Sequence, residues 1–144
     1  MKTRFSSLVA LKKDAMQKSE RLFEQANQKF IVTKKALEEA IAQLEAIPTL
    51  QKGVISDFMA NRALLDAQRR VIAKNEQLLQ EANSELLEAK EALKRIMMEH
   101  EKFKYLHLQE VHKILDEQKR AEVKALDEVA LMTYDRKTRL KEVL

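Results

Sequence analysis

The stretch EAIPTLQKGVIS, residues 45–56, contains both the only proline of the chain, Pro48, and its only glycine, Gly53. Proline disfavours helical geometry at the residue before it, and glycine lets the backbone adopt a positive φ in a reversal. Ser56 is placed to cap a following helix, because its hydroxyl would accept from free N–H groups of the first turn. The stretch therefore predicts one chain reversal between two helices.

Apolar residues repeat every seven positions on both sides of this turn. Each side has a column of large side chains and, three residues later, a column of smaller ones, which is the 3-4 spacing of a coiled-coil seam. The large columns are Val9, Met16, Phe23, Phe30, Leu37 and Leu44, then Phe58, Leu65, Ile72, Leu79, Leu86 and Leu93. The smaller columns are Ser19, Ala26, Thr33, Ala40 and Ile47, then Asn61, Gln68, Asn75, Ala82, Ala89 and Ile96.

The predicted fold class is all-α, a two-helix antiparallel coiled-coil hairpin with unequal arms in which the second helix overhangs the first. We predict one domain over residues 1–144, with helix 1 at about 5–47, the turn at about 48–55 and helix 2 at about 56–142. The interpretation rests on long heptad runs with almost no turn-forming residues elsewhere.

The two helices have a specific predicted register if the large side chains nearest the turn lie opposite each other. Their residue numbers would then add to about 102, which places Leu44 near Phe58 and leaves residues beyond about 98 without a partner from helix 1. Thr33 would face Asn75 in a polar layer that fixes this register.

Composition excludes several classes of protein. The net charge of +4, from 27 basic and 23 acidic residues, is too mild to indicate nucleic acid. There is no cysteine, and the chain contains neither a glycine-rich phosphate loop nor a Gly-x-Ser-x-Gly motif. We therefore expect no catalytic residues, no enzymatic activity and no cofactor.

The three histidines, His100, His107 and His112, lie within thirteen residues. No two of them are three or four positions apart, which is the spacing that puts two ligands on one helical face. We expect ordinary surface or interface histidines and no metal site. No apolar run resembles a signal peptide or approaches the roughly 20 residues of a membrane span, so the expectation is a soluble intracellular protein.

A basic band is predicted where the two helices run side by side. It consists of Lys34, Lys35, Arg62, Arg69 and Arg70, with Lys29 and Lys74 nearby on the register above. The band is either a solvated face, which is the usual explanation of a charge run, or a docking site for an acidic partner surface. No aromatic residues interleave with it, so nucleic acid is not expected as a partner.

The predicted overhang of helix 2 keeps an apolar stripe, shifted by a stutter near His107. It comprises Val111, Ile114, Ala121, Ala125, Val129 and Met132, and it is widened by Leu115, Leu126 and Leu131. An uncovered apolar stripe marks a contact surface. Two occupants are open at this point: a different protein, or a second copy in a homo-oligomer.

Two stretches, RFSSLVALKKDAMQKSERLFEQA at residues 4–26 and RAEVKALDEVALMTYDRK at residues 120–137, resemble the flagellar FliJ family. The first stretch is similar to the family's opening, with an aromatic residue, spaced leucines and a basic pair before a long helix. The second stretch is similar to its C-terminal pattern, although Val123 stands where Gln is common and Met132–Thr133 where Arg is frequent. The matching positions are Arg120, Glu122, Leu126, Asp127, Glu128, Ala130, Tyr134 and Arg136.

The resemblance implies a stalk that enters the ring of the flagellar type III export ATPase hexamer and promotes its assembly. It also implies contacts with the export gate membrane protein and with export chaperones, and a cytoplasmic location at the inner face of the cell membrane, at the flagellar base. The ring-binding residues would be Phe5, Leu8, Leu11, Leu126, Asp127, Glu128, Val129, Tyr134 and Arg136. The gate contact would lie toward the turn, near the basic band.

Two alternatives come from other classes. One is a self-associating structural coiled-coil rod whose overhangs pair with each other. The other is the equivalent stalk of a virulence-type secretion system, which the sequence pattern separates poorly from the flagellar one.

Overall fold

A computed structural model describes residues 1–143 of the chain. Helix α1 runs over Ser6–Ala46 and helix α2 over Ile55–Val143, and the described residues contain no strand. The chain is an all-α helical hairpin, which confirms the predicted fold class. Each observed helix end lies one residue from the predicted end.

The turn between the helices uses its two special residues as expected, but the capping residue is a different one. Gly53 has a φ of 153° and is the only described residue with a positive φ. The N–H of Val54 donates to the Asp57 carboxylate at 3.4 Å, while the Asp57 N–H donates to the Val54 carbonyl at 3.0 Å. Val54 and Asp57 thus exchange hydrogen bonds and cap the N-terminus of α2. The prediction that Ser56 caps it is wrong, because Ser56 already lies inside the first turn.

The core is a seam along the two heptad columns. The buried side chains of the described residues are Ser19, Ala40 and Ala82, and all three belong to the columns of smaller residues. The other column members are half-buried except Phe58, which is 42% exposed. Large side chains stay partly exposed because each packs against one neighbouring helix only, whereas a few small ones are short enough to be covered completely.

Two compact units are distinguished by their internal contacts. One consists of Lys13–Met98, and the other combines Met1–Lys12 with α2 from Glu99 onward. Both helices contribute to each unit. The turn, the buried side chains and most of the seam lie in the first of these units, and the start of α1 and the C-terminal part of α2 lie in the second.

Three polar contacts set the register within Lys13–Met98. Lys29 Nζ lies 2.9 Å from a Glu85 carboxylate oxygen. The Gln68 side-chain amide donates to the Ala40 carbonyl at 2.9 Å and to the Gln43 side-chain oxygen at 3.3 Å. The numbers of these partners add to 114, 108 and 111, so the predicted register of about 102 is wrong by about one heptad.

The error has a geometrical origin. A heptad pattern fits equally well after a shift of seven positions, so the columns alone do not choose between the two registers. In the structure the first turn of α2, with Phe58, stays outside the seam. Thr33 donates its hydroxyl to the Lys29 carbonyl of its own helix at 2.7 Å, and Gln68 provides the polar contact across the helices.

Replacing Gly53 tests the turn. A Cβ at this position would lie 3.2 Å from Asp57 Oδ2, on a backbone conformation that L side chains rarely adopt. We expect Gly53→Ala to lower the free energy of unfolding by about 1 kcal/mol or more. Urea unfolding followed by circular dichroism measures this, with Lys52→Ala as the neighbouring control, for which we expect a change within about 0.5 kcal/mol. Equal stability of the two variants would contradict the account of the turn.

Candidate interaction surface

The start of α1 is held against α2 by one threonine. Thr3 Oγ1 lies 2.8 Å from His107 Nδ1 and also accepts from the Phe5 N–H at 3.1 Å. The Thr3 N–H donates to Ser6 Oγ at 2.8 Å. One hydroxyl therefore caps the beginning of α1 and fastens it to a residue 104 positions away.

Charged pairs continue this attachment along α1. Lys12 Nζ lies 2.7 Å from Glu99 Oε2 and 5.9 Å from the centroid of the Phe103 ring. Arg4 Nε lies 3.7 Å from Glu110 Oε1. The N-terminal twelve residues thus pack along α2 from Glu99 to Glu110, and the expectation that residues beyond about 98 lack a partner is wrong. The one-heptad difference in register accounts for this extra coverage.

The seam on α2 continues without a stutter as far as Ile114. His100, Phe103, His107, Glu110 and Ile114 are all half-buried at alternating spacings of three and four. The predicted stutter near His107 is wrong for the seam. The heptad spacing of the half-buried residues continues through this point, although several of these residues are polar. His100 and His107 are interface residues, and the continued spacing in the sequence was the signal for this.

Beyond Ile114, α2 has no described side chain that packs on α1, and residues 115–137 are all exposed. We call residues 115–140 the α2 extension. Its exposed apolar side chains include Leu126 at 68% and Val129 at 59%. The large ones are Leu115, Val123, Leu126, Val129, Leu131, Met132, Tyr134 and Leu140.

The exposed stripe lies on a different face of α2 from the seam. Leu115 directly follows Ile114, and successive residues of an α-helix are about 100° apart. Leu126, Val129 and Leu140 return to the face of Leu115 at spacings of eleven, three and eleven residues. Val111 and Ile114 of the predicted stripe therefore belong to the covered part of α2, and the free surface is centred on Leu126 and Val129.

The candidate ring-binding residues fall into two groups. Leu8 and Leu11 are exposed on α1, whereas Phe5 is half-buried with the Arg4 guanidinium 4.9 Å from its ring centroid. This group lies beside the covered part of α2. Leu126, Asp127, Glu128, Val129, Tyr134 and Arg136 are exposed on the α2 extension. Sixteen residues separate Glu110 from Leu126, which is about 24 Å along a helix.

The predicted basic band is exposed but is not brought together. Lys34, Lys35, Arg62, Arg69 and Arg70 are all exposed, and Arg69 Nη1 lies 3.5 Å from Asp66 Oδ1. In the observed register Lys34 and Lys35 are displaced by about one heptad from Arg69 and Arg70. The expectation that these lysines lie across from the arginines is therefore wrong. That the five side chains dock an acidic partner stays a prediction.

The described residues form neither a metal-binding cluster nor a membrane-spanning helix. None of their histidine and carboxylate side chains form a group of three or more that could hold a metal ion. Neither described helix combines the length and the apolar character needed to cross a membrane.

Comparison with known families identifies the chain. A family model described as Flagellar FliJ protein matches residues 1–139. The chain belongs to the flagellar FliJ family. No curated protein and no solved structure matched the sequence.

Membership of the FliJ family supports a role in flagellar protein export. The match spans both stretches that resembled the family, residues 4–26 and 120–137, and the α2 extension up to residue 139. The start of α1, the seam and all of the exposed stripe except Leu140 therefore lie inside the matched region of this FliJ-family chain.

Thr3 and His107 provide a test of the attachment at the start of α1. We expect Thr3→Val to lower the free energy of unfolding by about 1–2 kcal/mol, because the helix loses its cap and the contact with His107. In a double-mutant cycle with His107→Ala, a coupling of about 1 kcal/mol is expected. Urea unfolding measures both quantities.

The matched control for this cycle is Thr138→Val. The Thr138 hydroxyl donates to the Tyr134 carbonyl of its own helix at 3.0 Å. We expect its loss to change stability by less than about 0.5 kcal/mol. Strictly additive effects of the Thr3 and His107 variants would show that their contact does not hold the two helices together.

Proposed function

We propose that this chain is a non-enzymatic component of flagellar type III export that binds the export ATPase through the α2 extension and promotes assembly of its ring. One observation carries the proposal: α2 continues beyond the start of α1 as a helix whose apolar stripe is bare. In a family that acts in flagellar export, such a stripe is the natural contact for an export protein.

The stripe is sufficiently apolar to drive binding. Leu126, Val129 and Met132 are each more than half exposed, and full burial of one such side chain is worth about 1.5–3 kcal/mol. A ring interior would contact the extension chiefly along the stripe, with Val123 and Tyr134 beside its centre. The family resemblance implies such an interior, and a single helix is the narrowest element that could enter it.

Charged residues beside the stripe would determine how the extension is oriented against the ATPase. Asp127 and Glu128 follow Leu126 directly, and Arg136 lies eight residues after Glu128. All three are exposed, so they cost little to present and would pair with complementary charges on the ATPase. Tyr134 adds an aromatic surface with a hydroxyl at its tip, a side chain common at interfaces.

Leu8 and Leu11 would form a second contact with the ATPase. They are exposed on α1, at the level of the covered part of α2, about 24 Å or more from Leu126. A ring or its rim would have to reach along the helices to touch both groups. Residues near the beginning and near the end of the chain would then act together, as the resemblance implies.

Coupling to the export gate and to export chaperones completes the proposal. Lys34, Lys35, Arg62, Arg69 and Arg70 are the proposed gate-facing residues, since exposed cations would attract an acidic partner surface. The gate is a membrane protein, so the chain would work in the cytoplasm at the inner face of the membrane. Handover of chaperones follows from the family resemblance alone.

The decisive variant is Leu126→Asp combined with Val129→Asp. Both side chains are exposed, so the hairpin is expected to keep its helicity by circular dichroism, within about 10% of the original signal. Hydrolysis by the flagellar export ATPase, measured with and without the chain, should lose its stimulation, because two carboxylates would enter an apolar contact.

Leu131→Asp is the matched control. Leu131 is 66% exposed on the same helix but two residues, or about 200°, beyond Val129. We expect it to stimulate the ATPase like the original chain. Full stimulation by the double variant would overturn the proposed use of the stripe, and loss of helicity would place Leu126 and Val129 in a core.

A further inference from the structure

The turn between the helices carries apolar side chains that the seam leaves uncovered. Val54, Ile55, Phe58 and Met59 are all exposed, and Ile55 has the largest exposed fraction of any large apolar residue in the described chain, 78%. We call these four residues the apolar tip. In the observed register, α1 ends at Ala46, which is level with about residue 65 of α2. No helical residue of α1 is therefore level with the apolar tip.

One arginine follows the apolar tip on the same face of α2. Arg62 comes seven residues after Ile55 and three after Met59, and it is four residues after Phe58. These spacings return to one side of a helix. The Arg62 side chain is exposed, and no described acidic residue pairs with it within 4.0 Å. Its charge is therefore free to meet an anionic group beside the apolar tip.

We propose that the apolar tip inserts into the headgroup region of a lipid bilayer containing anionic lipids, with Arg62 at the level of the phosphates. An amphipathic segment buries its apolar side chains about 5–10 Å into this region. The rise along α2 from Ile55 to Arg62 is about 10 Å, so a hairpin that approaches end-on matches this depth. Long basic side chains at such a boundary keep their charge in the polar layer.

The position of the apolar tip favours a bilayer over a pocket in another protein. Its four side chains lie where both helices end, and both helices leave them exposed. A surface at the end of a helix pair has no groove of its own to receive a partner segment. A bilayer interface accepts it without a complementary cavity, because binding depends on the apolar area buried and on charge.

The nearest charges favour anionic lipid. Lys52 is exposed in the turn and provides a second cation near Arg62. Asp57 lies two residues after Ile55, about 200° around the helix, and accepts a hydrogen bond from the Val54 N–H at 3.4 Å. The carboxylate closest in sequence to the apolar tip is therefore on the far side of α2 from the inserting face.

Two further acidic residues limit the attraction. Asp66 lies one turn beyond Arg62 on the same face, but its carboxylate is 3.5 Å from Arg69 Nη1. Glu45 is exposed near the end of α1. The burial of apolar surface therefore provides most of the affinity, and Arg62 with Lys52 provides the preference for anionic lipid.

The contact is expected to be weak and reversible. A single fatty acyl chain binds membranes with a constant of about 10⁴ M⁻¹, and we expect the four side chains to bind no more tightly. The proposal goes beyond the ATPase contact, which lies on the α2 extension. It gives the chain a direct hold on the membrane, beside the gate contact proposed for the basic band.

Sedimentation of the full chain with lipid vesicles tests the proposal. We expect binding to vesicles of phosphatidylcholine and phosphatidylglycerol at 3:1, and about fivefold weaker binding to phosphatidylcholine alone. Ile55→Asp combined with Met59→Asp should weaken binding at least tenfold, because two carboxylates would have to leave water. Arg62→Gln should weaken binding to the anionic vesicles about three- to fivefold.

Leu22→Asp combined with Ile31→Asp is the matched control. Both side chains are at least half exposed, and both lie fifteen or more residues before the end of α1. We expect this variant to bind within about twofold of the original chain. All variants are compared with Leu126→Asp and Val129→Asp also present, so that the stripe of the α2 extension contributes nothing to vesicle binding.

An environment-sensitive dye measures insertion directly. The chain has no cysteine, so Met59→Cys and Lys90→Cys each accept a single label. Emission from a dye at position 59 should shift to the blue on addition of anionic vesicles. Emission from position 90, which lies on the exposed surface of α2 far from the turn, should stay unchanged.

Absence of binding, equal binding by the tip variant and its control, or an unshifted dye at position 59 would overturn the lipid contact. Binding through the apolar tip only to vesicles that carry the export gate protein would also overturn it and make the tip a protein contact. ATPase stimulation separates these results from the proposed function. With the α2 extension intact, the tip variant should stimulate the ATPase fully, and lost stimulation by the Leu126 and Val129 double variant would leave the lipid contact in place.

Discussion

The fold depends on one seam between two helices, built from a column of large and a column of smaller side chains on each helix. Ser19, Ala40 and Ala82 are the described residues that become buried, and Ala82 has no exposed surface at all. Each larger seam residue is covered from one side only. A single seam stabilises an elongated helix pair by repetition along its length, and it leaves the outer faces free for other contacts.

The point at which this seam ends determines which part of α2 is left uncovered. Its frame continues on α2 to Ile114, and α1 begins with the cap at Thr3, which touches His107. After that point the apolar residues change face, so the stripe around Leu126 and Val129 is a separate surface rather than unused seam. In the proposed function this bare stripe is the contact for the export ATPase.

Sequence reasoning located the helices to within a residue because Pro48 and Gly53 act locally. It failed on the register because a heptad pattern is unchanged by a shift of seven positions. The observed register is seen in particular polar contacts, such as the Gln68 amide on the Ala40 carbonyl, whose pairing no local rule specifies. The same shift separated Lys34 and Lys35 from the arginines of the basic band.

The sequence by itself determined that this chain is a helical hairpin of the FliJ type with an apolar stripe near its end. Periodicity and backbone breakers are properties of neighbouring residues, so they can be read along the chain. Only the tertiary structure decided which part of α2 is covered, that His100 and His107 lie in the seam, and that the free stripe turns to another face. These depend on how two distant segments align, and that alignment is fixed by contacts such as Thr3 with His107 across 104 residues.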